Sequence, residues 1–252
     1  MSTRRPLIYI IHTSFVSVKD LNDLFATQIP EAEVRNIVDD SLLPEVLANE
    51  GVTSGVGERM KKYFQAAESA GADLIFNQCS SVGEVADVAA KLVRVPVIKV
   101  DSRMAEVACQ TGRRIGVVAT LETTLGPTCR LIEGTAERAG KPIEIIRCLV
   151  TGAFDALVGG DRAKHNRMVL EAIRELATRV DVVVCAQGSM TAILPELGKT
   201  KVPVLTSPAL GVESAVRFLR QSRPKTTQAP AGRNVGRGQA IASSASDAEL
   251  PK

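Results

Sequence analysis

The chain has 252 residues, 45% hydrophobic, 23% charged and 3% aromatic, with no Trp. That length buries a core without disulfides, and the scarcity of aromatic side chains argues against a β-sandwich or an aromatic-lined nucleic-acid platform. The formal net charge of +3 sits in residues 222–252, where five cations meet two anions, so the remainder is neutral and its charge points to no nucleic-acid partner.

In chain order, the opening MSTRRPLIYIIHTS has two arginines and then an apolar run at 7–11. The run is too short for a secretory h-region and reads as a first buried strand. Further β-branched runs lie at 34–38, 74–76, 97–100, 115–119, 143–146, 182–184 and 202–205. Helix-period stretches such as 19–28, 58–70, 82–92, 128–139 and 163–179 fall between most of them. Buried strands alternating with helices specify parallel sheets covered on both faces, a doubly wound α/β fold. No window is long and apolar enough to cross a bilayer, so no membrane partner is expected.

The order of elements repeats. Residues 7–12 align with 115–120 and 73–76 with 181–184 at one offset of about 108 residues, and RVPVIKVDSRMAEVA at 94–108 resembles KVPVLTSPALGVESA at 201–215. EVRNIVD at 33–39 resembles IIRCLVT at 145–151 at a slightly longer offset. Two pseudo-symmetric lobes with a cleft between them follow: a first lobe from residues 1–99 and 208–221, and a second from 100–207. From 222 to 252 the composition turns to Ser, Gly, Pro, Arg, Gln and Ala, which reads as a disordered tail.

In open parallel sheets, ligands sit beyond the carboxyl ends of the strands. The residues expected there are His12, Thr13 and Ser14; Asp39, Asp40 and Ser41; Asn77, Gln78, Cys79, Ser80 and Ser81; Thr120, Thr123 and Thr124; Thr151; Gln187, Gly188 and Ser189; Thr206 and Ser207. Hydroxyls dominate and arginine is missing. Five cysteines, an odd number without a CxxC pair, read as reduced thiols of a cytoplasmic protein, not as a disulfide framework or zinc ribbon.

Among these thiols Cys79 stands apart, because DLIFNQCSSVGEVADVAAKL places it between a strand and a helix expected to start near Ser81 or Val82. Free backbone N–H groups and the positive helix end favour a thiolate there. Such a thiol could take a proton from a carbon acid or add to an electrophile, with Ser80, Ser81 and free N–H groups holding a carboxylate beside it. The plain alternative is a small packing residue.

ADLIFNQCSS is similar to the first cysteine motif of the aspartate/glutamate racemase superfamily, which includes hydantoin racemases, maleate isomerases and arylmalonate decarboxylases. The duplicated strand-plus-corner and the ATLETTL segment at 119–125 also resemble it, and the resemblance spans residues 5–221. It implies a cofactor-independent enzyme acting on a small carboxylate-bearing substrate, with homodimers or higher homo-oligomers as fitting states. Two cysteines, one from each lobe, would flank the α-carbon, one removing a proton and the other delivering one. The first carries over to Cys79, with Ser80 and Ser81 in the binding corner and Thr120, Thr123 and Thr124 in the hydroxyl-rich segment. Thr13, Ser14, Asp39, Gln187, Gly188 and Ser189 complete the expected substrate-binding set.

The chain departs from the family at the second cysteine. Six residues on from Asp73 is Cys79; six on from Asp181 is Gln187, whose amide exchanges no proton at useful pH. Cys185 lies two positions earlier on the same side of the strand and reads as packing. Cys109, Cys129 and Cys148 read as core. His12 reads as a hydrogen-bonded strand-end residue, Asp39 as a helix cap, and His165 as a solvated or capping-region histidine of a helix. SGVGERMKK at 54–62 lacks a third glycine and a preceding strand, so no nucleotide site is expected.

The leading reading is a racemase or isomerase using Cys79. A single-thiol decarboxylase or cis-trans isomerase of the same superfamily, and a non-catalytic two-lobed binder of organic acids, remain open beside it. A cysteine hydrolase requires His12 or His165 within hydrogen-bond reach of Cys79.

Overall fold

The computed structural model describes residues 4–222. Of the tail expected at 222–252, Ser222 belongs to the last helix and the rest lies outside the described residues.

The elements run β1 (Leu7–His12), α1 (Val18–Gln28), β2 (Glu33–Val38), α2 (Leu42–Ala48), α3 (Ser54–Ser69), β3 (Leu74–Asn77), α4 (Gly83–Ala90) and β4 (Val97–Lys99). Then follow α5 (Ser102–Thr111), β5 (Arg114–Ala119), α6 (Glu122–Arg138), β6 (Glu144–Leu149), α7 (Ala153–Val158), α8 (Arg162–Leu176), β7 (Val182–Cys185), β8 (Val204–Thr206) and α9 (Ser207–Ser222). Two four-stranded parallel sheets result, in the orders β2-β1-β3-β4 and β6-β5-β7-β8. The repeat in the sequence is therefore a repeat of topology.

The hydrophobic pattern explains which strands are central. β3 (LIFN) and β7 (VVVC) are buried at every position, as strands covered on both faces must be. The outer strands β2 (EVRNIV) and β6 (EIIRCL) carry charges and are partly exposed. Each buried Ile of β1, at positions 8, 10 and 11, contributes about 1.5–3 kcal/mol relative to an exposed one. Phe25 of α1 meets Phe76 of β3 edge-on with ring centroids 5.3 Å apart.

Equivalent aspartates staple the start of each central pair. Asp73 accepts from the Leu7 N–H at 2.7 Å, and Asp181 accepts from the Arg113 and Arg114 N–H groups at 2.9 and 2.8 Å. The chain crosses between the sheets twice. α5, which follows β4, packs on the second sheet through Met104, Ala105 and Ala108, while α9 packs on the first through Val212, Ala215 and Val216. The two passes touch at Gly211, where a Cβ would lie 2.4 Å from the Val100 carbonyl oxygen, so only glycine fits.

Some boundaries differ from those expected. β6 continues through Leu149, so Cys148 is a strand residue. α3 starts at Ser54 because the Thr53 side chain accepts from the Val56 N–H and caps it, which places both glycines of SGVG inside the helix.

Candidate active site

The carboxyl ends of β1, β3, β5 and β7 open on one cavity of about 190 Å³. Its wall includes Thr13, Ser14, Cys79, Ser80, Ser81, Thr120, Thr124, Gln187, Gly188 and Ser189, so residues distant in the chain are brought together at the strand ends. A second cavity of about 420 Å³ adjoins it, sharing Val16, Ser17, Gln78, Gly188 and Ser189.

Cys79 is half-buried and caps a 3-10 turn, Ser80–Val82, that precedes α4. The turn receives the chain from β3 and runs directly into α4 at Gly83, one residue past the expected helix start. Burial pushes the Cys79 thiol above its ordinary pKa; hydrogen bonds from the Thr13 side chain, the Ser81 N–H and hydroxyl and the Val82 N–H pull the other way without winning. The donors expected to favour a thiolate are in place, but desolvation outweighs them and the shift is upward. None of its hydrogen bonds comes from a histidine, which removes the arrangement a cysteine hydrolase needs.

At the matching corner Gln187 also caps a 3-10 turn, Gly188–Glu196. Its Oε1 accepts from the Thr120 N–H at 2.7 Å and the Thr120 hydroxyl at 3.0 Å. These donors fix the amide orientation, and Nε2 makes no hydrogen bond among the described residues. The Ser81 and Thr124 hydroxyls meet at 3.0 Å between the turn after Cys79 and α6.

Two expected residues stand outside the cavity wall. Asp39 is held by Ser41 (N–H at 3.1 Å, hydroxyl at 2.5 Å), Tyr63 at 2.6 Å and Arg59 at 3.1 Å. Burial raises its pKa, but the hydrogen bonds from Ser41 and Tyr63 and the Arg59 charge outweigh it, and the net shift is downward. It is a structural carboxylate. Thr123 precedes Thr124 on α6, and successive helical residues point in different directions, so only Thr124 reaches the cavity.

The histidines separate. His12 is fully buried and bonds Asn36 Oδ1 through Nε2 at 2.8 Å; burial lowers its pKa, partly offset by that bond. It does not line the cavity. His165 does, from the first turn of α8, and is 9% exposed, so it is neither solvated nor a cap. Asp161 caps that helix instead, accepting from the Lys164 N–H at 2.9 Å. Helical spacing carried the missed signal: His165, Val169 and Ile173 are four apart and share the buried face. Ser17, Gln78 and Ser207 also line the cavity, and Ser17 Oγ, Gln78 Oε1 and Ser207 Oγ are buried without a protein partner, polar atoms that a ligand can satisfy.

The remaining thiols are packing groups. Cys185 is fully buried in the core of the second sheet, and burial pushes its pKa up to about 12. Cys109 and Cys129 are buried between α5, α6 and the same sheet. Among the described residues, no helix is long and apolar enough to cross a membrane.

The sequence profile of the Asp/Glu/hydantoin racemase family matches residues 8–215. No curated protein matches the chain. Similar solved structures include a candidate Asp/Glu racemase of Yersinia pestis, with 17% identity, a TM-score of 0.68 and coverage of 86% of this chain and 100% of that one. Glutamate racemase of Francisella tularensis, solved with D-glutamate, has 12% identity, a TM-score of 0.64 and coverage of 87% and 82%. Allantoin racemase of Klebsiella pneumoniae has 18% identity, a TM-score of 0.60 and coverage of 86% and 88%. At these identities the structural likenesses speak to fold.

Proposed function

Since the chain belongs to the Asp/Glu/hydantoin racemase family, and so is an enzyme of the racemase type, we propose that it moves a proton at the α-carbon of a small carboxylate-bearing substrate through the Cys79 thiol. The observation that carries this reading is the place of Cys79: a half-buried thiol on a cavity wall otherwise built of hydroxyls, amides, apolar groups and the His165 imidazole.

The first lobe, residues 1–99 with 208–221, supplies Thr13, Ser14, Cys79, Ser80 and Ser81. The second, residues 100–207, supplies Thr120, Thr124, Gln187, Gly188 and Ser189. Hydroxyl and N–H donors from both hold the substrate carboxylate, and Gln187 Nε2 is free to donate to the oxygen that gains charge when the α-proton leaves. An enolate needs such donors more than the ground state does, so they lower the barrier. The chemistry runs without a cofactor, because the acidity comes from the substrate's own carbonyl group and the donors around it. As a thiol, Cys79 is ready to give a proton to a planar enolate.

That protonation state also favours a second reading, a decarboxylase that protonates the enolate left by loss of carbon dioxide and needs only one thiol. Release of carbon dioxide from malonates with an aryl substituent separates it from racemisation.

Alkylation with iodoacetamide, read by mass spectrometry, tests the thiol's place in the site. Cys79 is expected to react ahead of Cys109, Cys129 and Cys185 and to be slowed by D-glutamate or malonate. A Cys79 no faster than Cys109 and Cys129 would contradict the reading.

A further inference from the structure

Gln187 leaves the second lobe with no acid or base where the first lobe has Cys79. Of the side chains lining the cavity, only Cys79 and His165 are of types that exchange protons with useful pKa values. They come from different lobes, Cys79 from the end of β3 and His165 from the first turn of α8.

The surroundings of His165 orient it. Asn166 Nδ2 donates to Glu196 Oε1 at 3.2 Å, which turns Asn166 Oδ1 toward His165 Nδ1 at 3.1 Å. An amide oxygen only accepts, so Nδ1 carries the hydrogen and the neutral ring has its lone pair on Nε2. Nε2 makes no hydrogen bond among the described residues. Phe154 and Leu157 of α7 add apolar surface to the same cavity wall. A histidine buried only for packing needs none of this arrangement; the apolar stripe explains its burial but not a lone pair left free at a cavity wall.

We infer that His165 is the second proton-exchanging group of the site, acting on the face of the α-carbon opposite Cys79. This rests on the racemase reading above. In one direction Nε2 takes the α-proton, and the electron pair of the broken C–H bond passes into the enolate. Cys79 S–H then protonates the other face, forming the new C–H bond and leaving a thiolate and an imidazolium. A proton passed from imidazolium to thiolate through solvent restores the start. The reverse reaction begins from the thiolate–imidazolium form.

The chain has two histidines, so ring-labelled histidine in the full chain gives two resonances, assigned by the one lost in His165→Gln. Cys79 is alkylated with iodoacetate or with iodoacetamide, placing an anionic or a neutral group of similar size in the cavity, with Cys79→Ala treated alike as the blank. The titration midpoint of His165 is expected to lie higher in the carboxymethyl protein than in the carboxamidomethyl protein, with His12 unmoved. Equal midpoints would overturn the inference.

Turnover on D- and L-glutamate, D- and L-aspartate and allantoin separates the two levels of the account. Where the wild type racemises one of these, His165→Gln is expected to lose about 100-fold or more, with imidazole restoring part of the rate to His165→Ala. An inactive Cys79→Ala beside a fully active His165→Gln overturns the role of His165 alone. A fully active Cys79→Ala overturns the thiol reading itself.

Discussion

Cys79 and Gln187 cap their 3-10 turns with nearly the same backbone, φ −113° and ψ 122° at one, φ −107° and ψ 126° at the other. Each follows the second-paired strand of its sheet, and each faces the shared cavity. Their side chains are used differently. The thiol sits among donors and is held protonated by burial, whereas the amide spends its oxygen on Thr120 and keeps a donor free. A duplicated scaffold thus has the same geometry at both corners and a thiol at only one of them. The second proton-exchanging group reaches the cavity from α8, an element with no role in the corner itself.

The sharpest way to break this comparison is to remove the thiol. Cys79→Ser, followed by polarimetry on whichever carboxylate the wild type racemises, is expected to lose roughly 10²–10⁴-fold in turnover, the usual scale of acid–base catalysis. Full turnover in that variant would make the two corners equivalent. Gln187→Ala probes the other side. It leaves the Thr120 N–H and hydroxyl without their acceptor, and urea unfolding should show a loss of about 1–3 kcal/mol.

A third prediction concerns the thiol that shares a strand with the second corner. Cys185 ionises at about 12 when folded, and at about 8.5 as an ordinary thiol when unfolded. Between those values the folded state holds the extra proton, so this contribution to stability is complete at neutral pH and falls as pH rises. Cys185→Ala should therefore lose less stability than the wild type between about pH 8 and about pH 10.5, read from urea midpoints. The smallest effect is expected for Thr120→Val, which removes one hydroxyl donor and keeps the N–H bond to Gln187; thermal or urea unfolding should show about 0.5–1.5 kcal/mol.

The fold was legible because central parallel strands must be apolar on both faces, and LIFN and VVVC carry that pattern with an aspartate before each. The same duplication made Gln187 readable as the counterpart of Cys79. Burial energetics were less legible. A helix start near Ser81 or Val82 suggests a stabilised thiolate, and the Ser81 and Val82 N–H donors are there, but desolvation outweighs them. Asp39 stands away from the cavity wall, held by Arg59 and Tyr63 about 20 residues away on α3, a pairing that no local pattern displays. The place of His165 is hard to read for a similar reason. Its period put it on the buried face of α8, but only the tertiary fold turns the start of that face toward the cavity.

The most direct test of the central claim is racemisation in deuterated water, following the α-position by proton NMR through a single turnover. With a substrate from the panel above, the product enantiomer is expected to carry solvent deuterium at the α-carbon, and Cys79→Ala is expected to form no deuterated product enantiomer. Product that keeps its original hydrogen, or deuterated product enantiomer formed by Cys79→Ala at the wild-type rate, would contradict proton transfer through this thiol.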